Sequence, residues 1–472
     1  MTLLREVAVQ RLALARLEPV IGQQRFALLD ARSAELRGQL RGRTIWNINS
    51  AAVGGGVAEM LQVLVGYVAG ADIAIRWAVI GGDPAFFRFT KRLHNQIHGI
   101  GTVAPPASDD VAHYQRILAD NAADLLHLVR PGDIALLHDP QTAGLAGALT
   151  QAGVRVVWRC HIGIDVQNDV SRAAWEFLRA YLEPAAGFVF TRMQYVPPWV
   201  PLPLTWIISP SIDPFSAKNA VLSPDAVAAI LAISGVIAGS PRAPALFPRR
   251  DGTAGAVTRP AQITGETRPA ADDPVVLQVS RWDRLKDMAG VMRGFAEHVL
   301  PHARAHLILA GPATEGVADD PEGAVVVAEC EQQWRELPDK ARERVLLAQL
   351  PMADPEENAA IVNALQRHAT VVTQKSLAEG FGLTVAEAMW KGRPVVGSAV
   401  GGITDQIAPG TGALLHDPSD LAAFGAEVRD LLDHEDKAQA LGEAGHAHTC
   451  EHFLADVHLL RLADLIEAAI SG

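Results

Sequence analysis

The stretch Ser376-Leu377-Ala378-Glu379-Gly380-Phe381-Gly382-Leu383-Thr384-Val385-Ala386-Glu387-Ala388-Met389 places two carboxylates eight residues apart around a glycine-flanked helix start. Thr384 reads as an N-cap, Val385-Ala386-Glu387-Ala388-Met389-Trp390 propagates a helix, and Gly392 followed by Arg393-Pro394 stops it. The first turn of such a helix leaves backbone N–H groups without intrahelical acceptors. Gly380-Phe381-Gly382 lets a ligand approach them with no Cβ in the way. A phosphate suits that geometry. Glu379, ahead of the helix, is placed to accept from sugar hydroxyls, and Glu387, almost one turn inside, from a ribose diol. The same residues allow a plainer account, because Thr384-x-x-Glu387 is also a capping box that would satisfy the helix by itself.

A basic element upstream favours the ligand reading. Val275-Val276-Leu277-Gln278-Val279-Ser280 is a short apolar, β-branched run that predicts a buried strand, and it empties into Arg281-Trp282-Asp283-Arg284-Leu285-Lys286-Asp287. Arg281 and Lys286 then stand at the carboxyl end of a strand, where ligands bind in open α/β sheets, and two cations there match a diphosphate. Unpaired with the glutamate loop, they would read as a solvated charged turn.

Around this centre, strand-like and helical segments alternate as in parallel sheets covered on both faces, the doubly wound α/β class. Expected strands in the first half are Thr44–Ile48, Arg76–Ile80, Ile134–Leu137, Val154–Trp158 and Gly187–Phe190. In the second they are Val275–Ser280, Ala305–Ala310, Val345–Leu347, Ala369–Thr373 and Pro394–Gly397. The proline-rich crossing Ser209-Pro210-Ser211-Ile212-Asp213-Pro214 divides the halves, giving domains over 1–212 and 213–454. Pro241 to Pro274, rich in Pro, Gly, Arg and Asp, predicts a long surface excursion that buries little.

A chain of 472 residues exceeds one ordinary core, and 49% hydrophobic content is ample to fill two. A formal charge of −12 with no basic tract argues against a nucleic-acid or anionic-membrane binder. Cys160, Cys330 and Cys450 are scattered and form no C-x-x-C, which points to a reducing compartment without disulfides or metal staples. The N-terminus, where Arg5, Glu6, Arg11, Arg16 and Glu18 punctuate leucines, reads as an amphipathic helix and not as a signal peptide. The most apolar stretch, Leu61 to Ile80, is broken by Gln62, Asp72 and Arg76, so no membrane span is expected and the expected location is cytoplasmic.

In the first half, Gly54-Gly55-Gly56 follows the first strand and opens a helix, freeing N–H groups for a phosphate or sugar. It is equally a common tight turn, and it is neither G-x-G-x-x-G nor a Walker A loop. His138-Asp139-Pro140-Gln141 and Trp158-Arg159-Cys160-His161-Ile162-Gly163-Ile164-Asp165 both fall at strand ends, which makes Asp139, Gln141 and Asp165 candidate hydroxyl ligands. The His446, His448 and His452 cluster lacks a completing carboxylate and predicts no metal site.

The Arg-x4-Lys after a strand, together with Glu-x7-Glu in Glu-Gly-Phe-Gly-Leu-Thr-Val-Ala-Glu, resembles the family 4 retaining glycosyltransferases of the GT-B fold. That fold has two Rossmann-like domains facing a cleft, the first binding acceptor and the second donor, and its last helix, here 455–472, returns to the first. The resemblance implies that Arg281 and Lys286 hold the donor phosphates, that Glu379 contacts the transferred sugar and Glu387 the ribose, and that Leu383 and Thr384 offer N–H groups to the distal phosphate. Donor contacts then run through Gly380, Phe381 and Gly382, with the base read by backbone around Leu350. A histidine at the His161 position lines the reacting sugar in this family, so His161, Arg281, Lys286 and Glu379 are the expected catalytic set. Gly55, Gly56, Asp139, Gln141, His161 and Asp165 are the expected acceptor set.

Over almost the whole chain, Trp46-Asn47-Ile48-Asn49-Ser50, Gly81-Gly82-Asp83-Pro84-Ala85-Phe86-Phe87, His138-Asp139-Pro140-Gln141 and Gln278-Val279-Ser280-Arg281-Trp282-Asp283 look like the trehalose synthases of the glycosyltransferring type. The family commonly reads Cys-His-Ile-Asp where Gly163-Ile164 intervene here, which bears on Asp165. The resemblance implies a nucleotide-sugar co-substrate (UDP-, ADP- or GDP-glucose) with no bound cofactor, and leaves Mg2+ dependence open. It implies a sugar acceptor as the other partner and is compatible with a homodimer. A trehalose phosphorylase working on inorganic phosphate is the alternative activity, a related transferase with another sugar or pseudosugar acceptor a further one, and a catalytically silent sugar-binding protein is disfavoured because Arg281, Lys286, Glu379 and Glu387 are all present.

Overall fold

The structure, a computed structural model, describes residues 3–52, 56–314 and 321–471. The chain forms two compact units, one of Met1–Ser211 with Phe453–Gly472 and one of Ile212–His452.

The first unit is built on seven strands: β1 (Arg5–Glu6), β2 (Ile45–Asn49), β3 (Ile75–Val79), β4 (Ile134–His138), β5 (Arg155–Cys160), β6 (Gly187–Phe190) and β7 (Thr205–Ile207). Their order is β1-β3-β2-β4-β5-β6-β7, and every pair is parallel except β1 with β3. Strands β2 and β4 are buried at every position, as expected where helices cover both faces; β4 is apolar up to His138, whereas β2 buries Asn47 and Asn49 among its apolar residues. Strand order reverses between β2 and β4, so the carboxyl ends of those strands flank the switch-point crevice.

The amphipathic helix expected at the N-terminus is absent. Arg5–Glu6 is an antiparallel edge strand, and the helix begins only at Glu18, where Pro19 occupies a first-turn position. The leucines are divided instead between an extended stretch and the 3-10 turn Leu14–Leu17. Leu12 and Leu14 are buried, and the Leu12 carbonyl lies where a Cβ at Gly70 would sit, 1.8 Å away, so only glycine allows the approach. The terminal helix Ala455–Ser471 packs on Glu18–Gln39 within this unit. Arg32 donates to Asp464 (2.7 Å) and Glu467 (2.8 Å), and Gln39 donates to Glu467 at 2.8 Å.

The second unit carries a hairpin, β8 (Leu246–Pro248) and β9 (Ala254–Ala256), and seven sheet strands. These are β10 (Gln262–Thr264), β11 (Val275–Val279), β12 (His306–Pro312), β13 (Val345–Leu350), β14 (Val371–Gln374), β15 (Val395–Ser398) and β16 (Ala413–Leu415). They run in the order β10-β13-β12-β11-β14-β15-β16, with only β10 antiparallel, and the switch point falls between β11 and β14. The Pro241 to Pro274 segment is more than a surface excursion. It supplies the edge strand β10, it buries Ala245, Phe247 and Val257 in the core, and its cations engage the carboxylates that open the helix Pro355–His368. Arg249 meets Asp354 and Glu356, the latter at 3.1 Å, and Arg259 meets Glu357.

Candidate functional site

At the β11/β14 switch point the two motifs meet. β11 ends in the loop carrying Arg281 to Lys286, and β14 ends in the loop carrying Glu379. Buried Gln278 ties the loops together, donating to the Lys286 carbonyl at 2.7 Å and accepting from the Lys375 amide at 2.9 Å, while the Leu377 amide donates to the Leu285 carbonyl at 2.8 Å. Lys286 closes a 3-10 turn, Arg284–Lys286, which starts with the Leu285 amide bonded to Asp283 Oδ1 at 2.8 Å. Its Nζ reaches Glu379 Oε2 at 2.6 Å, and Ser376 Oγ donates to the same oxygen at 3.3 Å. Directly behind, fully buried Lys375 pairs with Asp287, whose left-handed backbone (φ 49°) starts the next helix. Arg281 is not drawn into this cluster. It is about half exposed, with its guanidinium 3.6 Å from Asp283.

The glycine-flanked helix spans Leu383–Trp390, two residues earlier than its sequence suggests, and Gly382 is its N-cap at φ 83°. Thr384 therefore lies inside the helix, with Oγ1 donating to Gln374 Oε1 at 2.9 Å, and the capping box with Glu387 does not form. The Ala386 amide is taken by Gln406 Oε1 at 2.8 Å. The amides of Leu383 and Thr384 fall at the first two positions, where no intrahelical acceptor exists. Gly380 and Phe381 are held from the other side, where the Gly402 amide donates to the Gly380 carbonyl at 3.2 Å and Gln406 Nε2 to that of Phe381. Glu387 is released from capping and buried. Its Oε1 lies 3.7 Å from Lys218 Nζ, and its Oε2 has no hydrogen-bond partner among the described residues. Leu350 ends β13 with its side chain in the core and its carbonyl accepting from the Ala313 amide at 2.8 Å, so it presents backbone only.

In the first unit, the expected residues gather at the carboxyl ends of β4 and β5. His138 and His161 stack with rings 5.3 Å apart and 8° from parallel, and His138 Nδ1 lies 2.9 Å from His161 Nε2. His138 Nε2 faces Asn47 Oδ1 at 3.1 Å. That oxygen can only accept, so His138 carries its proton on Nε2, its Nδ1 accepts the His161 Nε2–H, and His161 keeps Nδ1 as an acceptor. Burial holds His138 down to about 3 and His161 well below the usual imidazole range, so both are neutral. Asp139 sits in the left-handed region at φ 64°, accepts the His161 amide at 2.8 Å, and is pushed up to about 7 by burial. Behind it, Arg159 is bonded to His458 at 2.9 Å and brought down to about 10 by burial.

Gln141 Oε1 is buried without a hydrogen-bond partner among the described residues. Asp165 instead faces Arg192, which forms its ion pair. Gly55 lies outside the described residues, and Gly56 opens the helix Gly56–Gly70. Asn47, Lys218 and Lys375 are the site residues that the sequence reading misses. Asn47 alternates inside a strand, Lys375 is an isolated buried lysine, and Lys218 lies in the crossing segment, so none carries a spacing signature. Among the described residues no group of His, Cys, Asp and Glu is arranged to hold a metal, and no helix is long and apolar enough to cross a membrane.

Comparison with known proteins fits this geometry. Residues 47–197 match the family described as trehalose synthase, N-terminal domain, and residues 262–448 match glycosyl transferases group 1. A trehalose synthase of Rubrobacter xylanophilus is 33% identical over 94% of this chain and 93% of its own length. A trehalose phosphorylase of Grifola frondosa is 23% identical, with the match covering 85% of this chain and 54% of that protein. Among solved structures, an α,α-trehalose-phosphate synthase (UDP-forming) from Burkholderia vietnamiensis superposes with a TM-score of 0.66 at 16% identity, covering 90% of this chain and 99% of that one. Anabaena Alr3699/HepE, in complex with UDP and glucose, superposes at 0.59 and 16% identity, covering 90% and 99%.

Two seven-stranded α/β sheets of the GT-B kind, with a group 1 match over the second, define the class as a glycosyltransferase that moves hexoses. Within that class the chain belongs to the trehalose synthase family.

Proposed function

We propose that the chain moves a glucosyl residue, with retention as in the family 4 glycosyltransferases, from a nucleoside-diphosphate glucose to glucose, forming α,α-trehalose. The observation that carries this reading is Glu387, a buried carboxylate whose Oε2 has no hydrogen-bond partner among the described residues, on a helix whose first two amides have no intrahelical acceptor. A ribose diol completes the first, and a phosphate the second. The UDP and glucose held by Alr3699/HepE support a sugar nucleotide as donor.

In this reading Lys286 and the helix amides stabilise charge on the leaving diphosphate, with Arg281 swinging in from solvent. Glu379 exchanges its bond with Lys286 for sugar hydroxyls. Asp139, Gln141 and the Nδ1 of His161 accept hydrogen bonds from sugar hydroxyls, whereas Asp165 acts through Arg192. The bond from the anomeric carbon to the phosphate oxygen breaks as the bond to the acceptor oxygen forms on the same face. The acceptor's hydroxyl proton passes to the departing phosphate oxygen, and nucleoside diphosphate leaves. The protein's part is orientation and charge stabilisation.

Incubation with trehalose and UDP, ADP, GDP or inorganic phosphate tests the reading: a nucleoside diphosphate should yield sugar nucleotide plus glucose. Sugar 1-phosphate from phosphate would replace it with the phosphorylase activity, which the Grifola frondosa relative keeps in view. Lys286→Ala should lower kcat by about a hundredfold or more, while Glu387→Ala should weaken nucleotide binding about tenfold with a smaller effect on kcat. Equal loss of folding stability in both variants would return these residues to a purely structural role.

A further inference from the structure

Glu387 is held by more than its helix. A buried carboxylate is costly unless paired, and here the pairing comes from Ile212–Leu222, the segment that opens the second unit. Lys218 on that segment brings its ammonium 3.7 Å from Glu387 Oε1, an ion pair too long to be a hydrogen bond. The backbone on both sides of Lys218 is fixed. Asn363 Nδ2 donates to the carbonyls of Ala217 (3.0 Å) and Ala220 (2.8 Å). Trp390 Nε1 and Arg367 Nη2 donate to the Asn219 carbonyl at 3.0 and 3.2 Å.

A second lysine completes the arrangement from beneath. Lys391 Nζ donates to Asn219 Oδ1 and to the Glu387 carbonyl, both at 3.0 Å, so one buried ammonium ties the segment to the turn that carries the carboxylate. Burial brings that ammonium down to about 7 against the attraction of Glu387, with Arg367 and Lys218 repelling it. Lys218 thus faces the carboxylate and Lys391 holds the backbone beneath it, while Glu387 Oε2 has no hydrogen-bond partner among the described residues.

We propose that Lys218, braced by Asn219 and Lys391, is a positioning residue for the donor, fixing the Glu387 carboxylate so that its vacant oxygen meets the ribose diol. The proposal rests on the nucleotide-sugar reading above. It explains why the segment is pinned on both sides of one lysine, and it makes ribose recognition depend on a residue outside the donor motif.

The test uses the full chain and compares a nucleoside diphosphate with its 2′-deoxy form by titration calorimetry. Wild type should prefer the ribose form by about tenfold, the equivalent of one good hydrogen bond. Lys218→Met should lose that preference and raise KM for the sugar nucleotide while leaving kcat within about twofold, and Lys218→Arg should recover most of the preference. If K218M keeps the wild-type ratio of ribose to deoxyribose affinity, Lys218 has no positioning role. If the wild-type chain binds no nucleoside diphosphate, the donor reading falls and takes the proposal with it. Should K218M not fold, Lys391→Met is read in the same way, since it removes the brace and leaves Lys218 in place.

Discussion

Gly163 is the residue at which this chain departs from the usual Cys-His-Ile-Asp order, and its surroundings account for the departure. A Cβ there would fall 2.1 Å from Tyr195 Cγ, so the ring lies flat against the glycine backbone. Arg192 approaches the same ring at 5.7 Å and pairs with Asp165. The two extra residues therefore carry Asp165 over to Arg192. Gly163→Ala should cost about 3 kcal/mol, the upper end for overpacking, measured as a drop in denaturant midpoint at unchanged m-value. The identity of Gly163 is plain in the sequence but its partner is not, because Tyr195 lies on a later loop and nothing local announces the contact. His161 is legible as a strand-end histidine; its tautomer is not, since that is set by Asn47 on another strand through His138.

At the scale of elements, the strand ends at both switch points are legible because full burial writes β11 and β4 as mostly apolar runs, broken in β11 only by Gln278, that end abruptly in charge or histidine. The helix Leu383–Trp390 is legible as a helix but not in its starting residue. Thr384 has the better capping chemistry, yet Gly382 wins because the chain must turn through a left-handed residue to bring Glu379 back toward Lys286. Gly382→Ala tests this. The strained φ should cost about 1–2 kcal/mol of stability. The new Cβ, 3.0 Å from Glu379 Cγ, should displace that carboxylate, so kcat should fall about tenfold or more in buffer where the variant remains fully folded. β8, β9 and β10 escape sequence reading because they are three residues each, in a stretch whose composition resembles a linker.

Across the molecule the first unit concentrates buried titrating groups in one place. His138, His161 and His458 are all held neutral by burial, well below the ordinary value of 6.5, whereas Asp139 is raised to about 7 from 3.8. Below pH 6.5 the unfolded chain gains three imidazole protons that the folded unit refuses, and the folded unit keeps one carboxyl proton that the unfolded chain lacks. Stability is thus full above about pH 6.5 and lost on acidification. A net two protons give a slope of about 2.7 kcal/mol per pH unit down to about pH 5. Denaturant titrations followed by tryptophan fluorescence at pH 7 and 5.5 should show the loss, and a flat response would mean that these histidines are hydrated.

The helix Ala455–Ser471, which supplies His458 to Arg159, belongs to the first unit although the whole of Ile212–His452 precedes it in the chain. During synthesis the ribosome therefore delivers every residue of the second unit before the piece that completes the first. The earlier-born half emerges with the apolar seat of that helix open and must wait, exposed to chaperones and proteases, until the later-born half has been made.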